Sequence, residues 1–242
     1  MEEVKEEKFG SRNSLLEPIL IKNNIDFIAN IWVVTCRQSI NNNKDSRYLV
    51  IIEGTFSNVY ENILKQINPN ISVINVSFDE ARKSISVFNI KTGKKGVLTY
   101  SKFKNRIIEL TECKYLDSFA LGSKESTPLS RFFRENMGKG FALTDIDFYL
   151  TEKRLFLEEK NFIKNDVGYI GIGQCISFKE IISDIFPDIP LLILCTNEAD
   201  YYIGDFKNVD CRNSEIIKGW GKMVPVKVKK TTKSILINLL KN

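Results

Sequence analysis

The sequence predicts an α/β (α+β) chain in two parts: a small α+β N-terminal unit over residues 1–118, then a mixed sheet flanked by helices over 119–242. Three observations predict it. The runs YLVIIE at 48–53 and PLLILC at 190–195 have strand length and little polar character, which suits strands buried on both faces. Other stretches place apolar residues at helical spacing. A polar stretch over 116–126, with Gly122, Ser123 and Ser126, lies between two such sets and is the best candidate linker. The 242 residues are ample for a buried core, and 43% hydrophobic with 27% charged residues is globular composition rather than disorder.

The elements follow in order. The first ten residues are charged and read as loose. The pattern predicts a short helix over 14–23, a β-branched and aromatic strand over 26–38, a polar loop over 39–46, and the buried strand at 48–53. Val59, Ile63 and Leu64 place a helix over 57–66, stopped by Asn68-Pro69-Asn70. Strands over 71–77 and 84–90 follow; KTGKKG at 91–96 is a turn, 97–100 is the returning hairpin partner, and 103–113 is helical. This first part holds no chemical motif. Thr127 then caps a helix with Pro128 at its first position, where the missing N–H costs nothing. Leu129, Phe132 and Phe133 form its apolar face, Arg131, Arg134 and Glu135 lie mostly off it, and Gly138 ends it. Strands over 141–150 and 154–162 come next. GYIGIG at 168–173 reads as a tight glycine-rich approach to a helix over 177–186, with Phe178, Ile181, Ile182 and Ile185 inward, and 190–195 is the last strand. The remainder holds a basic stretch, Lys227, Lys229, Lys230 and Lys233. No internal repeat is present.

The chain has no histidine, which excludes a Ser-His-Asp triad, a Cys-His pair, HExxH metalloprotease sites and His-containing zinc sites. Catalysis here must rest on carboxylates, lysines, arginines, hydroxyls or thiols. The net charge of +5 permits a nucleic-acid partner without demanding one. The five cysteines, Cys36, Cys113, Cys175, Cys195 and Cys211, are odd in number and contain no close pair. That predicts reduced, partly buried thiols rather than a disulfide framework or a thiolate zinc site. The charged N-terminus has no signal-peptide pattern, and no apolar run approaches the roughly 18 residues of a membrane span. The default expectation is a cytoplasmic protein without a membrane partner.

Chemistry concentrates in the second part. Asp145 and Asp147 alternate with Ile146 and Phe148 on one strand, so both carboxylates are expected on one face. Glu158 and Lys160 share a face of the next strand. If 151–154 closes a tight hairpin, residues whose numbers sum to about 305 are paired. Asp147 then faces Glu158, Asp145 faces Lys160, and the four charges form one cluster; a one-residue bulge would break the pairing. Close carboxylates repel unless a proton or cation lies between them. Magnesium suits such a site, because one or two carboxylates plus waters and a phosphate oxygen satisfy it. The ion polarises a phosphodiester and lowers the pKa of a coordinated water, and a lysine can orient that water.

An aspartate-bearing strand followed by E-x-K on the next strand, between two helices, resembles the PD-(D/E)xK nuclease superfamily, which includes many restriction endonucleases and archaeal Holliday-junction resolvases. The resemblance covers roughly residues 127–196 and is carried by Asp147 (or Asp145), Glu158 and Lys160. Thr144 stands where the family often has proline. The resemblance implies a restriction-endonuclease-like mixed sheet and hydrolysis of nucleic-acid phosphodiesters, most readily DNA. It implies Asp147 and Glu158 as ligands of Mg2+ (or Mn2+) with Asp145 in support, Lys160 assisting the attacking water, and Gln174 at the following helix orienting the site. Glu135 is the candidate for an acidic residue from the preceding helix. Members often work as dimers, so the resemblance extends to a homodimer. Arg131, Arg134, Lys227, Lys229 and Lys230 are the candidate nucleic-acid contacts.

Other readings stand beside this one. The four charges can be a solvated strand face with cross-strand ion pairs, although LFLEEKNF is otherwise apolar and buried charges are costly. The arginines, Glu135 and the C-terminal lysines can be plain solvated surface. Gly171 and Gly173 lack the third glycine of a dinucleotide fingerprint. A nucleic-acid-binding or interaction module without catalysis would bind no magnesium through these carboxylates. A glycosidase would use the paired carboxylates for acid/base work and ignore chelators.

Overall fold

Short apolar strands dominate the computed structural model, which describes residues 14–37, 47–54, 67–113, 127–137, 140–160, 163–164, 166–196 and 200–241. The expected loop at 39–46, helix at 57–66, linker at 116–126, the first ten residues and Gly138 lie outside them. The chain opens with α1 (Glu17–Lys22), then β1 (Phe27–Cys36), β2 (Tyr48–Glu53), β3 (Ser72–Asp79), β4 (Ser84–Asn89), β5 (Lys95–Thr99) and α2 (Tyr100–Leu110). It continues with α3 (Pro128–Asn136), β6 (Phe141–Leu150), β7 (Leu155–Lys160), β8 (Ile163–Lys164), β9 (Val167–Gly171) and α4 (Ile172–Asp184). Last come β10 (Leu191–Thr196), β11 (Tyr201–Asp205), a 3-10 turn (Phe206–Asn208), β12 (Glu215–Ile217), β13 (Gly221–Lys227), β14 (Lys229–Thr231) and α5 (Lys233–Lys241).

Ten strands form one mixed sheet in the order β14-β11-β10-β7-β6-β1-β2-β3-β4-β5. β6 runs antiparallel to both β1 and β7, while β7 and β10 are parallel, joined by a crossover that contains α4. A second sheet, β12-β13-β9-β8, packs over part of the first. All six residues of β2 are buried, as its uninterrupted apolar run predicts for a central strand. The expected boundary near residue 118 lies outside the described residues. On either side of it the sheet is continuous, because β1 pairs along its length with β6. The N-terminal strands therefore complete the sheet that carries the candidate site.

Among the described residues, three apolar clusters hold the layers together. One face of the sheet carries Ile31, Val33, Val50, Ile146 and Ile193 against Phe178 and Ile181 of α4 and Val224 and Val226 of β13. The other face divides. Over β1 to β4, Trp32, Val34, Ile51 and Ile74 meet Phe103 and Ile107 of α2 and Leu129, Phe132 and Phe133 of α3. Over β6, β7 and β10, Phe148, Leu157 and Leu194 meet Leu16 and Leu20 of the α1 segment and Leu236 and Leu240 of α5. Full burial of each such side chain contributes roughly 1.5–3 kcal/mol.

Local signals placed most of these elements. The Thr127 hydroxyl accepts from the Ser130 N–H at 3.3 Å, with Pro128 opening the helix. Two expectations are corrected. The segment 168–173 is largely a strand, β9, followed at once by α4, which starts five residues before the helix expected from 177. The tight approach is at Gly168, where a Cβ would collide with Cys195 Sγ; around Gly171 and Gly173 the space is open. The cysteines also differ from expectation. Cys36 pairs with Cys113 and Cys175 with Cys211, leaving Cys195 as a buried free thiol. The pairs are 77 and 36 residues apart, so sequence proximity could not reveal them. Disulfides belong to oxidising compartments, which removes the thiol argument for a cytoplasmic location. Among the described residues, no helix is long and apolar enough to cross a membrane.

Candidate functional site

β6 and β7 pair as Leu150↔Leu155, Tyr149↔Phe156 and Phe148↔Leu157, the register whose numbers sum to 305. The ladder stops there, and side chains replace it. The Glu159 N–H donates to Asp147 Oδ2 at 2.7 Å, and the Asp147 N–H donates at 3.4 Å to Glu158 Oε2. Each strand's carboxylate thus takes up a backbone donor that the ladder no longer satisfies.

The cause is a local inversion of the sheet. Residues two apart on a regular strand share a face. Ile146 nevertheless packs in the α4-side core with its partner Ile31, while Phe148 packs on the opposite side with Ala29. Between them Asn30 takes φ 57° opposite Asp147, and both strands turn over at this point. Asp145 pairs with Trp32, which lies on the α2–α3 face. Asp145 and Asp147 therefore do not share a face, contrary to the alternation expected from sequence.

Glu158 is 1% exposed and lies on the α4 side, beside Ile193 of β10. Lys160 makes an ion pair with Glu158 Oε1, and the same oxygen accepts from Gln174 Nε2 at 2.7 Å. Gln174 belongs to the first turn of α4, which the Cys175–Cys211 disulfide ties to the loop after the 3-10 turn. Cys195 stands opposite Lys160 in the parallel register, sealed by Gly168.

The electrostatics follow from the count of charges. Burial, with a smaller push from Asp145, outweighs the pull of Lys160 and raises the Asp147 carboxyl to about 6. Burial first and Asp147 second hold Glu158 well above the ordinary glutamate range. Burial works against the Lys160 ammonium, but Glu158 and Asp147 together outweigh it and raise its pKa. The Cys195 thiol is pushed up to about 11 by burial, so it is no nucleophile near neutral pH. Asp145 reaches the cluster as charge; among the described residues no hydrogen bond joins it to the other three. Three carboxylates share one ammonium, and the uncompensated negative charge favours a proton or a cation.

The donor set suits magnesium in kind, since two hard carboxylates are enough alongside waters. Among the described residues, no three Asp, Glu or Cys side chains are gathered as a metal ion would need. The inversion at Asp147 accounts for this by sending Asp145 to the other face. Also among the described residues, Asp147 Oδ1 accepts no hydrogen bond, and Glu158 Oε2 takes only the long one from Asp147.

The remaining candidates are dispersed. Arg131 makes an ion pair with Glu80, in the turn after β3, and Arg134 and Glu135 share α3 with it. Lys230 is bound to Asp200 at 2.7 Å, while Lys227 and Lys229 are exposed on β13 and β14. Sequence reasoning passed over Glu159, whose carboxylate accepts from the Ser14 hydroxyl at 2.5 Å and the Leu15 N–H at 2.9 Å, anchoring the start of α1. It also passed over Glu53, a buried carboxylate that accepts from the Leu129 N–H at 2.8 Å. Compared with known proteins, the chain matches no family model, no curated protein and no solved structure.

Proposed function

We propose that this protein is a metal-dependent nuclease of the PD-(D/E)xK kind, hydrolysing phosphodiester bonds of nucleic acid, with DNA as the favoured substrate. One observation carries the reading: Asp147, Glu158, Lys160 and Gln174 converge where β6 and β7 part, with more negative charge than Lys160 balances. The order helix, strand, strand, helix, strand expected from the resemblance corresponds to α3, β6, β7, α4 and β10, with β8 and β9 interposed.

In this reading Asp147 and Glu158 would hold Mg2+ or Mn2+, and Asp145 contributes only field. An ion held there would supply polarisation of the phosphodiester and a lowered pKa for a coordinated water. Gln174 fixes Glu158 by one oxygen. Lys160 stays charged at neutral pH and can orient the attacking water or offset charge developing on the phosphate. Gly171 and Gly173 leave open space at the start of α4, where backbone N–H groups favour an approaching phosphate.

A second reading, a nucleic-acid-binding or interaction module, is favoured by a different observation. Lys160 and Gln174 both engage Glu158 Oε1, so the cluster is partly closed upon itself. The test is cleavage of plasmid, linear, single-stranded and branched DNA, and of RNA, with magnesium, manganese or EDTA. The nuclease reading expects metal-dependent cutting that Glu158→Ala abolishes. A folded protein that cuts nothing, or a fully active Glu158→Ala protein, overturns it. Homodimer formation is proposed on the resemblance alone and is read by light scattering.

A further inference from the structure

The β12–β13 hairpin is built to expose what most hairpins hide. Trp220 is 58% exposed and Ile216 is 85% exposed. The tip is a turn closed by the Trp220 N–H on Ile217 O at 3.0 Å, with Gly219 at φ 85° in the third position that a type II turn reserves for glycine. Gly221 follows at φ 83°, so Trp220 stands between two glycines at which an added Cβ would meet nothing. Lys218 and Lys222 flank it and are exposed. The acidic residue of the hairpin, Glu215, is engaged by the Tyr169 hydroxyl.

Register places this hairpin beside the start of α4, the helix that carries Gln174. Met223 pairs with Gly171, three residues before Gln174, so residues 218–222 extend beyond the end of β9 where α4 begins. On β9 and β13, Gly168, Ile170, Val224 and Val226 share the face that packs over the large sheet, with Gly168 against Cys195 beside Lys160. Alternation continues that face to Lys222 and its cross-strand partner Ile216. An apolar side chain and an ammonium therefore lie on the side that this sheet turns to the large one, with an indole at the tip.

From this placement we infer that the hairpin holds an unpaired nucleotide of the substrate, Trp220 stacking on its base while Lys218 and Lys222 meet the backbone phosphates. The substrate class is nucleic acid with a single-stranded segment next to the cleaved bond. The inference rests on the nuclease reading for its substrate. Lysines of one sign flanking a displayed indole favour a polyanion with π-faces over an apolar protein groove.

The test uses the full chain in EDTA, which blocks cutting. Fluorescence anisotropy reads binding of a labelled single-stranded oligodeoxynucleotide, the same strand in a blunt duplex, and that duplex with a single-stranded overhang. Trp220→Ala is expected to weaken the single-stranded and overhang probes roughly tenfold or more and the blunt duplex less than about twofold, with Trp220→Phe retaining most of the affinity. Circular dichroism checks that each variant is folded. Unchanged binding of all three probes by Trp220→Ala, or equal losses on all three, overturns the inference. If the unsubstituted protein binds no probe, this inference falls together with the nucleic-acid reading. If it binds through Trp220 but cleaves nothing when magnesium is restored, only the catalytic reading falls.

Discussion

Glu53 and Glu158 occupy similar positions in the two halves of the large sheet, yet their surroundings differ in kind. Each ends or nearly ends a buried strand, each is hidden from solvent, and each meets the first turn of a helix, α3 for Glu53 and α4 for Glu158. Burial raises the pKa of both. Around Glu53, the Thr127 hydroxyl and the Leu129 N–H offset burial, and the carboxylate serves as a cap for α3. Glu80 also pushes Glu53 up, but only around Glu158 do a second acid residue and an ammonium bond to the carboxylate itself. A buried glutamate with a raised pKa is thus not by itself a sign of chemistry. A neighbouring acid together with a neighbouring cation, at the point where the strand ladder opens, distinguishes the site half.

The comparison breaks most sharply under matched substitutions. On the nuclease proposal, Glu158→Gln should cost on the order of a hundredfold or more in cleavage rate. Glu53→Gln keeps an acceptor for the Leu129 N–H and should leave the rate per folded molecule within about twofold. Equal losses, measured by single-turnover cleavage, would mean the two glutamates play the same part.

The next effect is on stability. Asp147 titrates near 6 in the folded chain against 3.8 for an ordinary aspartate. Its folded form holds the proton more tightly, so the stability present below about pH 4 is lost as pH rises through about 6. Asparagine cannot ionise. Asp147→Asn should therefore be about 3 kcal/mol more stable than the unsubstituted protein at pH 8, with no advantage below about pH 4. Urea unfolding at the two pH values reads this, and an advantage that does not depend on pH would refute the assignment.

The smallest effect is expected at α3. The ion pair of Arg131 with Glu80 is half-exposed, so Arg131→Ala should cost less than about 1 kcal/mol. The salt dependence of DNA binding should be unchanged if Arg131 serves the far half only. A shallower salt slope would return Arg131 to the nucleic-acid contacts expected from sequence.

Much of this was legible in the chain. Apolar runs of strand length marked β2 and β10, Thr127-Pro128 marked the start of α3, and the tight connection after Leu150 led to the 305 register. These signals are local, carried by propensity, capping and turn length, which act over a few residues. The same locality explains the misses. GYIGIG carries too many glycines to read as β9, and its strand forms because β13, more than fifty residues later, pairs with it. The hairpin that presents Trp220 has only three residues in β12, too short to show alternation.

By itself the sequence determined which residue types are available and which neighbours they have: no histidine, an aspartate-bearing strand followed by a strand with E-x-K, helices on either side. Tertiary structure decided how they meet. It joined β1 to β6 across the expected boundary, brought Cys36 to Cys113 and Cys175 to Cys211, and turned β6 over at Asp147 so that Asp145 acts on the cluster only through its charge. The physical reason is one of range. Strand alternation is a rule for an undistorted ladder, and whether a ladder distorts depends on the strand paired beside it. For Asp147 that partner is Asn30, more than a hundred residues away in sequence.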